Sequence, residues 1–377
     1  MNIRFFAAAF LLTLVVCPNL NAVNKPGSKP LVKVKISFLE ALAPKDTTSS
    51  ERFQKDYVSA IDLGKRITQQ KLSSCGYELD TKTFFYDASD PLQAKEQAEK
   101  AVKDGAWLMI GPRRSNHYLL LVKGAQETPT VSLMASASEI DSLGGLHLSL
   151  SPSNPAMAKS AAKEIAQRLK SKKSKSFISV VSEDCISCKD FALAFEKQAS
   201  ILKFKKLADI KIISDDPETS NIVATIQELK PDFVLLPNYS RSSSHIMSAV
   251  QKSKYHPVFV GSDGWGDSKF GFIQNNDNID QIKGFTVRGT PPVENGLNKL
   301  SFKKELASTE LPASGPGLGI LKTIDSTTEF LCQSKPKDTK AFTASFSKKG
   351  RKLFSAPWGV SVFNLKDGNL NFERSLQ

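Results

Sequence analysis

The side chains that most often carry out acid–base, nucleophilic or metal chemistry are sparse in this sequence. It contains four histidines, and none is spaced to share a metal ion with a second ligand. It has no G-x-S-x-G nucleophile motif and no G-x-x-x-x-G-K-[ST] phosphate loop. Gly264-Trp265-Gly266 is too short for a dinucleotide-binding fingerprint. The pattern predicts a protein that is not an enzyme and needs no cofactor or metal.

Four of the five cysteines follow the N-terminal segment, and an even number in an exported chain suggests disulfides. Cys185 and Cys188 form a C-x-x-C pair, which is also found in redox motifs and in zinc sites. The redox motif normally opens a helix in a thioredoxin-like fold, and the zinc site needs a second ligand pair that is absent here. A structural disulfide is favoured for this pair, with a second bridge between Cys75 and Cys332.

The chain is basic, with a formal net charge of +13. Such an excess can indicate nucleic acid or an anionic membrane as a partner. The lysines are scattered, however, and the densest run, residues 170–175, lies between a predicted helix and a predicted strand. A solvated loop is the favoured interpretation, and no nucleic-acid partner is predicted.

The N-terminus has the pattern of an export signal. A short positive start precedes an apolar run over residues 5–16, which is too short to span a bilayer comfortably. Cleavage is predicted after Ala22, although Leu20 is larger than the usual residue at its position. Cys17 offers lipoprotein anchoring as an alternative, but Val16 before it fits that signal poorly. We expect residues 1–22 to be a signal peptide and the protein to be periplasmic.

Strand and helix patterns alternate from residue 31 and begin afresh near residue 149. This order predicts parallel sheets with helices on both faces. The expected fold class is α/β, with two doubly wound parallel-sheet lobes joined by three crossings. The predicted domains are 30–148 plus about 292–340 for lobe 1, and 149–291 plus about 354–377 for lobe 2.

Several strand ends and turns occur in the order found in one family of receptors. The segments that carry the likeness are Ile110-Gly111-Pro112 with Ser115 after it, residues 134–138, the crossing at residues 148–153, residues 259–264 and the hairpin strand at residues 359–363. In these features the chain resembles the branched-chain amino-acid receptors of ABC transporters, which have the type I periplasmic solute-binding fold. The resemblance covers roughly residues 31–377.

The resemblance implies a ligand cleft between the lobes, beyond the carboxyl ends of the strands. By position, Ser115, Ser136 and Ser138 match the first-lobe groups that bind a ligand carboxylate, and Asp263 matches the second-lobe acid that holds an ammonium group. Tyr239, at another strand end, is expected to wall the pocket. The alternatives are that the serines cap helices, that Asp263 occupies an ordinary turn and that Tyr239 is a surface residue.

The implied function is hinge closure on a small polar, amino-acid-like ligand, followed by recognition by the membrane permease of an ABC transporter. The sequence departs from the family where an aromatic residue is expected, because the Cys185–Cys188 segment stands there. Arg113 and Arg114 could attract an acidic ligand or simply be solvated. An alternative function is therefore a periplasmic sensor, or a protein-interaction module that activates cell-wall synthases, with a degenerate cleft.

Overall fold

The structure is a computed structural model that describes residues 30–42, 48–213, 217–266, 282–308, 314–355, 357–366 and 369–376, with the side chains of 48–50 excepted. The predicted signal peptide at residues 1–22 lies outside the described residues. Among the described residues, no helix combines the length and the apolar character that crossing a bilayer requires.

The first lobe is built on five parallel strands in the order β2-β1-β3-β4-β5. The strands are Val32–Leu42 (β1), Tyr77–Asp87 (β2), Leu108–Ile110 (β3), Thr130–Ser132 (β4) and His147–Ser149 (β5). The helices between them are Thr48–Ser74 (α1), Leu92–Lys103 (α2), Ser115–Ala125 (α3) and Glu139–Ser142 (α4).

The second lobe has a seven-stranded sheet in the order β12-β11-β10-β9-β8-β6-β7, parallel except for an antiparallel hairpin at one edge. Its strands are Ser176–Ser182 (β6), Lys205–Ile212 (β7), Phe233–Leu235 (β8), Val258–Gly261 (β9), Lys283–Arg288 (β10), Val360–Lys366 (β11) and Asn369–Leu376 (β12). Its helices are Asn154–Arg168 (α5), Ile186–Ile201 (α6), Ser220–Leu229 (α7) and Ser240–Gln251 (α8).

The chain crosses between the lobes three times, after β5, after β10 and before β11. Between the last two crossings, helices Val293–Leu297 (α9), Gly315–Ser334 (α10) and Thr339–Phe354 (α11) return to the first lobe. Buried side chains of α10 and α11, such as Ile324 and Phe342, join the same core as Phe38 of β1. The predicted fold class, two α/β lobes with three crossings, is confirmed.

Helix α11 is not predicted above, although its sequence carries a helical signal. Phe342, Phe346 and Phe354 are fully buried, and they recur at intervals of four and eight residues. This spacing places them on one face of a helix. Frequent lysines on the remaining positions conceal the stripe.

Two disulfides are present. The first joins Cys75, directly after α1, to Cys332 in α10, and it closes a loop that contains the second lobe from α5 to β10. The second joins Cys185 and Cys188 across the first turn of α6. The Cys185 sulfur also accepts a hydrogen bond from the Cys188 amide at 3.1 Å, which caps the helix.

Candidate functional site in the interlobe cleft

A cavity of about 320 Å³ lies between the two lobes, within the range of about 300–1,000 Å³ that is usual for small-molecule pockets. Both lobes contribute to it through loops that follow the carboxyl ends of parallel strands. Its walls are formed by Phe53, Arg113, Arg114, Ser115, Met134, Ser136, Ser187, Tyr239, Ser240, Asp263, Gly264, Gly266, Arg288, Ser314 and Pro316.

Four helices begin at this cavity. Ser115 opens α3, Ser187 lies in the first turn of α6, Ser240 opens α8, and Ser314 is the N-cap of α10. The amino-terminal end of a helix carries a partial positive charge and unpaired N–H groups. Four such ends at one cavity favour a ligand with negative charge.

The strand that ends at Ile110 needs a glycine immediately after it. Gly111 has φ +96°, and a Cβ at this position would lie 2.1 Å from the carbonyl oxygen of Leu39. No larger residue fits there without moving β1. This close approach fixes the path of the loop that carries Arg113, Arg114 and Ser115 to the cavity.

Arg113 is held on two sides. Its guanidinium group lies 4.0 Å from the centre of the Phe53 ring, and its Nε donates to the Glu40 carboxylate at 3.3 Å. Burial raises the pKa of Glu40, while the charge of Arg113 opposes that rise. Glu40 is completely buried at the end of β1, so it provides Arg113 with a counter-charge from behind the cavity wall.

Arg114 has a different environment. It is exposed at the cavity, and its guanidinium group lies 5.3 Å from the centre of the Tyr239 ring on the opposite lobe. Among the described residues, no carboxylate lies within ion-pairing distance of it. A guanidinium group over an aromatic face gains a modest attraction. The ring carries no net charge, so the positive charge is not neutralised. Arg114 and Tyr239 therefore form one side of the cavity from both lobes.

Ser115 is buried, and its hydroxyl oxygen is already in use. It accepts hydrogen bonds from the backbone amides of Ser136 at 3.1 Å and Ala137 at 3.2 Å. Both acceptor positions of a serine oxygen are then filled, which leaves only its O–H hydrogen for another partner. Ser115 can donate to a ligand oxygen, as the resemblance implies, while it also holds the residue 134–138 loop in place.

Asp263 lies in a single 3₁₀ turn directly after β9 and is half-buried at the cavity. Burial raises the pKa of its carboxyl group to about 6, while a hydrogen bond from the Ser136 hydroxyl and the charge of Arg288 act to lower it. Arg288, at the end of β10, is almost fully buried. Asp263 and Ser136, predicted on opposite sides of a ligand, therefore interact with each other across the cleft.

Known structures share this architecture at low sequence identity. A leucine-binding protein, LivK, from Thermotoga maritima superposes with a TM-score of 0.72 at 14% identity, over 90% of this chain and 98% of that one. LivJ from Streptococcus pneumoniae, in complex with isoleucine, gives 0.69 at 12% identity, over 91% and 99%. The chain has the type I periplasmic-binding-protein fold. A solute-binding protein of an ABC transporter from R. palustris, in complex with benzoate, gives 0.65 at 16% identity, over 90% and 95%.

The comparisons with sequences alone gave no match. No protein-family model matches the chain, and no curated protein matches it.

Beside the cavity, the two lobes of the type I fold are joined by a group of hydrogen bonds around Asp190. One carboxylate oxygen accepts from the Ser138 hydroxyl at 2.6 Å, and the other accepts from the Ser138 amide at 2.7 Å and from the Asn154 side chain at 2.9 Å. The Asn154 side chain also donates to the carbonyl oxygen of Ser187 at 3.0 Å. We call Ser138, Asn154, Ser187 and Asp190 the interlobe latch.

The latch changes the interpretation of two residues. Ser138 was expected beside the ligand, but it does not line the cavity, and its hydroxyl and amide both bind Asp190. A ligand contact for it stays a prediction that requires the latch to open. Asn154 stands where an asparagine usually caps a helix, but Ser153 is the N-cap residue of α5 and the Asn154 side chain donates to Asp190.

The other four predicted residues are brought to the cavity. Ser115, Ser136, Tyr239 and Asp263 all line the cavity. Tyr239 is the N-cap residue of α8 and is half-buried. Their contacts with a ligand remain predictions.

Several cavity and latch residues were not predicted. Ser187 lies in the Cys185–Cys188 segment, where the resemblance leads us to expect an aromatic residue. That departure from the family is the sequence signal that points to this position. Asp190 and Arg288 carry no local signal, since a charged residue at a helix start or a strand end has many ordinary roles. Phe53 carries no local signal either, because an aromatic residue in a helix usually belongs to an apolar face.

Proposed function

We propose that this protein is an exported solute-binding receptor that closes its interlobe cleft on a small carboxylate-bearing molecule. The observation that carries the proposal is the cavity itself. It is enclosed by loops of both lobes, and its first-lobe wall presents Arg113, Arg114 and the Ser115 hydroxyl. These groups donate hydrogen bonds or carry positive charge, which suits a carboxylate.

Closure of the cleft is expected because the groups that would contact the ligand lie on both lobes. A ligand that touches Arg114 and Ser115 on one lobe and Tyr239 on the other is bound best when the cleft is shut. Such a ligand shifts the population toward the closed form by its difference in affinity for the two forms. The interlobe latch contributes to the same closed arrangement, because Asp190 binds Ser138 only when the lobes meet.

A transport role fits the fold and the predicted export signal. Two of the similar structures are described as amino-acid-binding proteins, and another as a solute-binding protein of an ABC transporter. By analogy, the closed form would be recognised by the membrane permease of an ABC transporter, and the protein would act in the periplasm. An amino acid remains one candidate ligand among small carboxylates.

The proposal is tested by titrating the purified full chain with a library of small carboxylates and following calorimetry and thermal unfolding. At least one compound should bind with 1:1 stoichiometry. Ser115→Ala should weaken that compound roughly tenfold to a hundredfold, because it removes a hydrogen-bond donor to a charged group, worth roughly 1.5–3 kcal/mol. Ser160→Ala is the control, since the Ser160 hydroxyl donates to the Ala156 carbonyl within α5 and does not line the cavity.

Binding that is identical in wild type and Ser115→Ala would contradict the assigned site. The melting temperature of each variant without ligand shows whether a loss of affinity reflects damage to the residue 134–138 loop instead.

The interlobe latch also favours a second candidate, a sensor or protein-interaction module. Its hydrogen bonds close the cleft through protein groups alone. In that case no small molecule should bind, and the chain should capture a partner protein instead of a solute. The same titration separates the two functions.

A further inference from the structure

We infer that the solute is a small organic monoanion, with a carboxylate on a compact apolar body and no ammonium group. This inference rests on the proposed function and narrows it. It differs from the amino-acid-like ligand that the resemblance implies. Three features of the cavity support it: its charge balance, its lack of a site for an ammonium group and its apolar surface.

The charged side chains at the cavity leave Arg114 without a carboxylate partner among the described residues. Three guanidinium groups line the cavity, those of Arg113, Arg114 and Arg288. Of the carboxyl groups nearest the cavity, Asp263 lies opposite Arg288, Glu40 is bonded to Arg113, and Asp56 accepts a hydrogen bond from Ser314. Arg114 is paired with none of these carboxyl groups, and an anion bound beside it supplies the missing counter-charge. A zwitterion could pair its carboxylate with Arg114 only by placing its ammonium group in a cavity lined by three guanidinium groups.

The donors at this wall point to the same ligand group. Ser115 has filled its acceptor positions and can only donate, and the nearby start of α3 presents backbone N–H groups. A guanidinium group, a serine hydroxyl and backbone N–H groups at a helix start all donate hydrogen bonds. Together they suit a ligand oxygen that carries negative charge. In the described part of the wall around Arg114, an ammonium group would meet repulsion from two guanidinium groups.

Asp263 is the acid that the resemblance assigns to an ammonium group, and it has protein partners instead. The Ser136 hydroxyl and Arg288 both interact with its carboxylate. To bind an ammonium group, Asp263 would have to exchange a hydrogen bond that also joins the lobes. Its carboxylate is therefore poorly placed to bind a ligand cation.

The remaining surface of the cavity is apolar. Phe53, Met134, Tyr239 and Pro316 contribute to the walls. Two of these rings already lie against the guanidinium groups of Arg113 and Arg114. A compact hydrocarbon or aromatic body would be desolvated against these side chains, with the carboxylate directed toward Arg114.

The test compares acids with the amino acids that differ from them only by an ammonium group. The purified full chain is titrated calorimetrically with 4-methylpentanoate against leucine, and with 3-phenylpropanoate against phenylalanine. We expect the acid of at least one pair to bind ten times or more tighter than its amino acid. Arg114→Gln should weaken that acid about tenfold or more and reduce the ratio within the pair, whereas Arg351→Gln, an exposed change on distant α11, should alter neither.

The outcomes separate the two claims. If leucine or phenylalanine binds as tightly as its matched acid, or tighter, this inference is overturned while the receptor function stands. If Arg114→Gln leaves the acid's affinity unchanged, the inference is overturned as well. If neither series nor the wider carboxylate library binds, the receptor function fails and this inference fails with it. Arg114 is exposed, so the variant is expected to fold, and its melting temperature without ligand verifies this.

Discussion

The cavity and the interlobe latch lie side by side between the same two lobes, but their polar groups are used differently. In the latch, both oxygens of Asp190 accept hydrogen bonds from protein donors, and the Ser138 hydroxyl and amide are both satisfied. In the cavity, Arg114 has an aromatic ring as its partner, and Ser115 keeps a hydrogen to donate.

This difference separates two tasks. A group of hydrogen bonds that is satisfied within the protein holds the lobes at a fixed closed position and does not depend on which solute is present. A wall with unmatched charge and an unused donor discriminates among solutes. We expect latch variants to change the affinity for every ligand by the same factor, and cavity variants to change the order in which ligands are preferred.

The largest effect is expected from Asp190→Ala. This change removes the acceptor of three hydrogen bonds, two of them across the cleft. Hydrogen bonds to a charged group contribute about 1.5–3 kcal/mol each, so the closed form should lose most of its advantage and ligand affinity should fall about a hundredfold. Calorimetry measures the loss, and small-angle scattering should show a larger radius of gyration with ligand present.

Asp184→Ala is the matched control, because Asp184 is exposed and bonds Ser182 within its own lobe. An Asp190→Ala protein with wild-type affinity would show that the latch does not stabilise closure.

A smaller effect is expected from Ser138→Ala, which removes one of these hydrogen bonds and leaves the backbone amide in place. Affinity should fall about tenfold for an acid and for its matched amino acid alike. The ratio within each pair should therefore stay at its wild-type value. A changed ratio would place Ser138 in contact with the solute, as the resemblance implies, and would break the distinction between latch and cavity.

The fold could be predicted because it depends on patterns that repeat along the chain. Alternating strand and helix signals, such as β3 before the Gly111 turn and the start of α3 at Ser115, follow from hydrophobic periodicity and turn chemistry. The same rules place a ligand cleft at the carboxyl ends of the strands, and four of the five predicted ligand residues do line the cavity.

The contacts within the site could not be predicted, because they join segments far apart in the sequence. Asp190 meets Ser138 across 52 residues, and nothing near either residue specifies that distance. Glu40 and Arg113 pair across 73 residues, which determines that Arg113 is neutralised and Arg114 is not. The first pairing depends on how the two lobes meet and the second on the neighbouring placement of β1 and β3 in one sheet, and local sequence encodes neither geometry.

The smallest effect is expected from pH. Above a pH of about 6, the value of the Asp263 pKa, its carboxylate is charged and opposes an anion in the cavity, whereas below it the group is neutral. Affinity for an acid should therefore rise as pH falls from 7.5 to 5.5, by about twofold to sixfold for a coupling of about half to one pKa unit. Titration calorimetry across this range measures it.

Asp263→Asn should remove that pH dependence and bind the acid at pH 7.5 about as tightly as wild type does at pH 5.5. Affinity that falls on acidification in wild type would show that the carboxylate of Asp263 supports binding instead of opposing it.

Native mass spectrometry of the protein purified from its own cells tests the central claim most directly. The account predicts a 1:1 complex with a small organic acid, and a much smaller bound fraction for Arg114→Gln prepared in the same way. A protein that carries no small molecule and co-purifies with a polypeptide would contradict the receptor function, and a bound cation or zwitterion would contradict the assignment of the cavity to an anion.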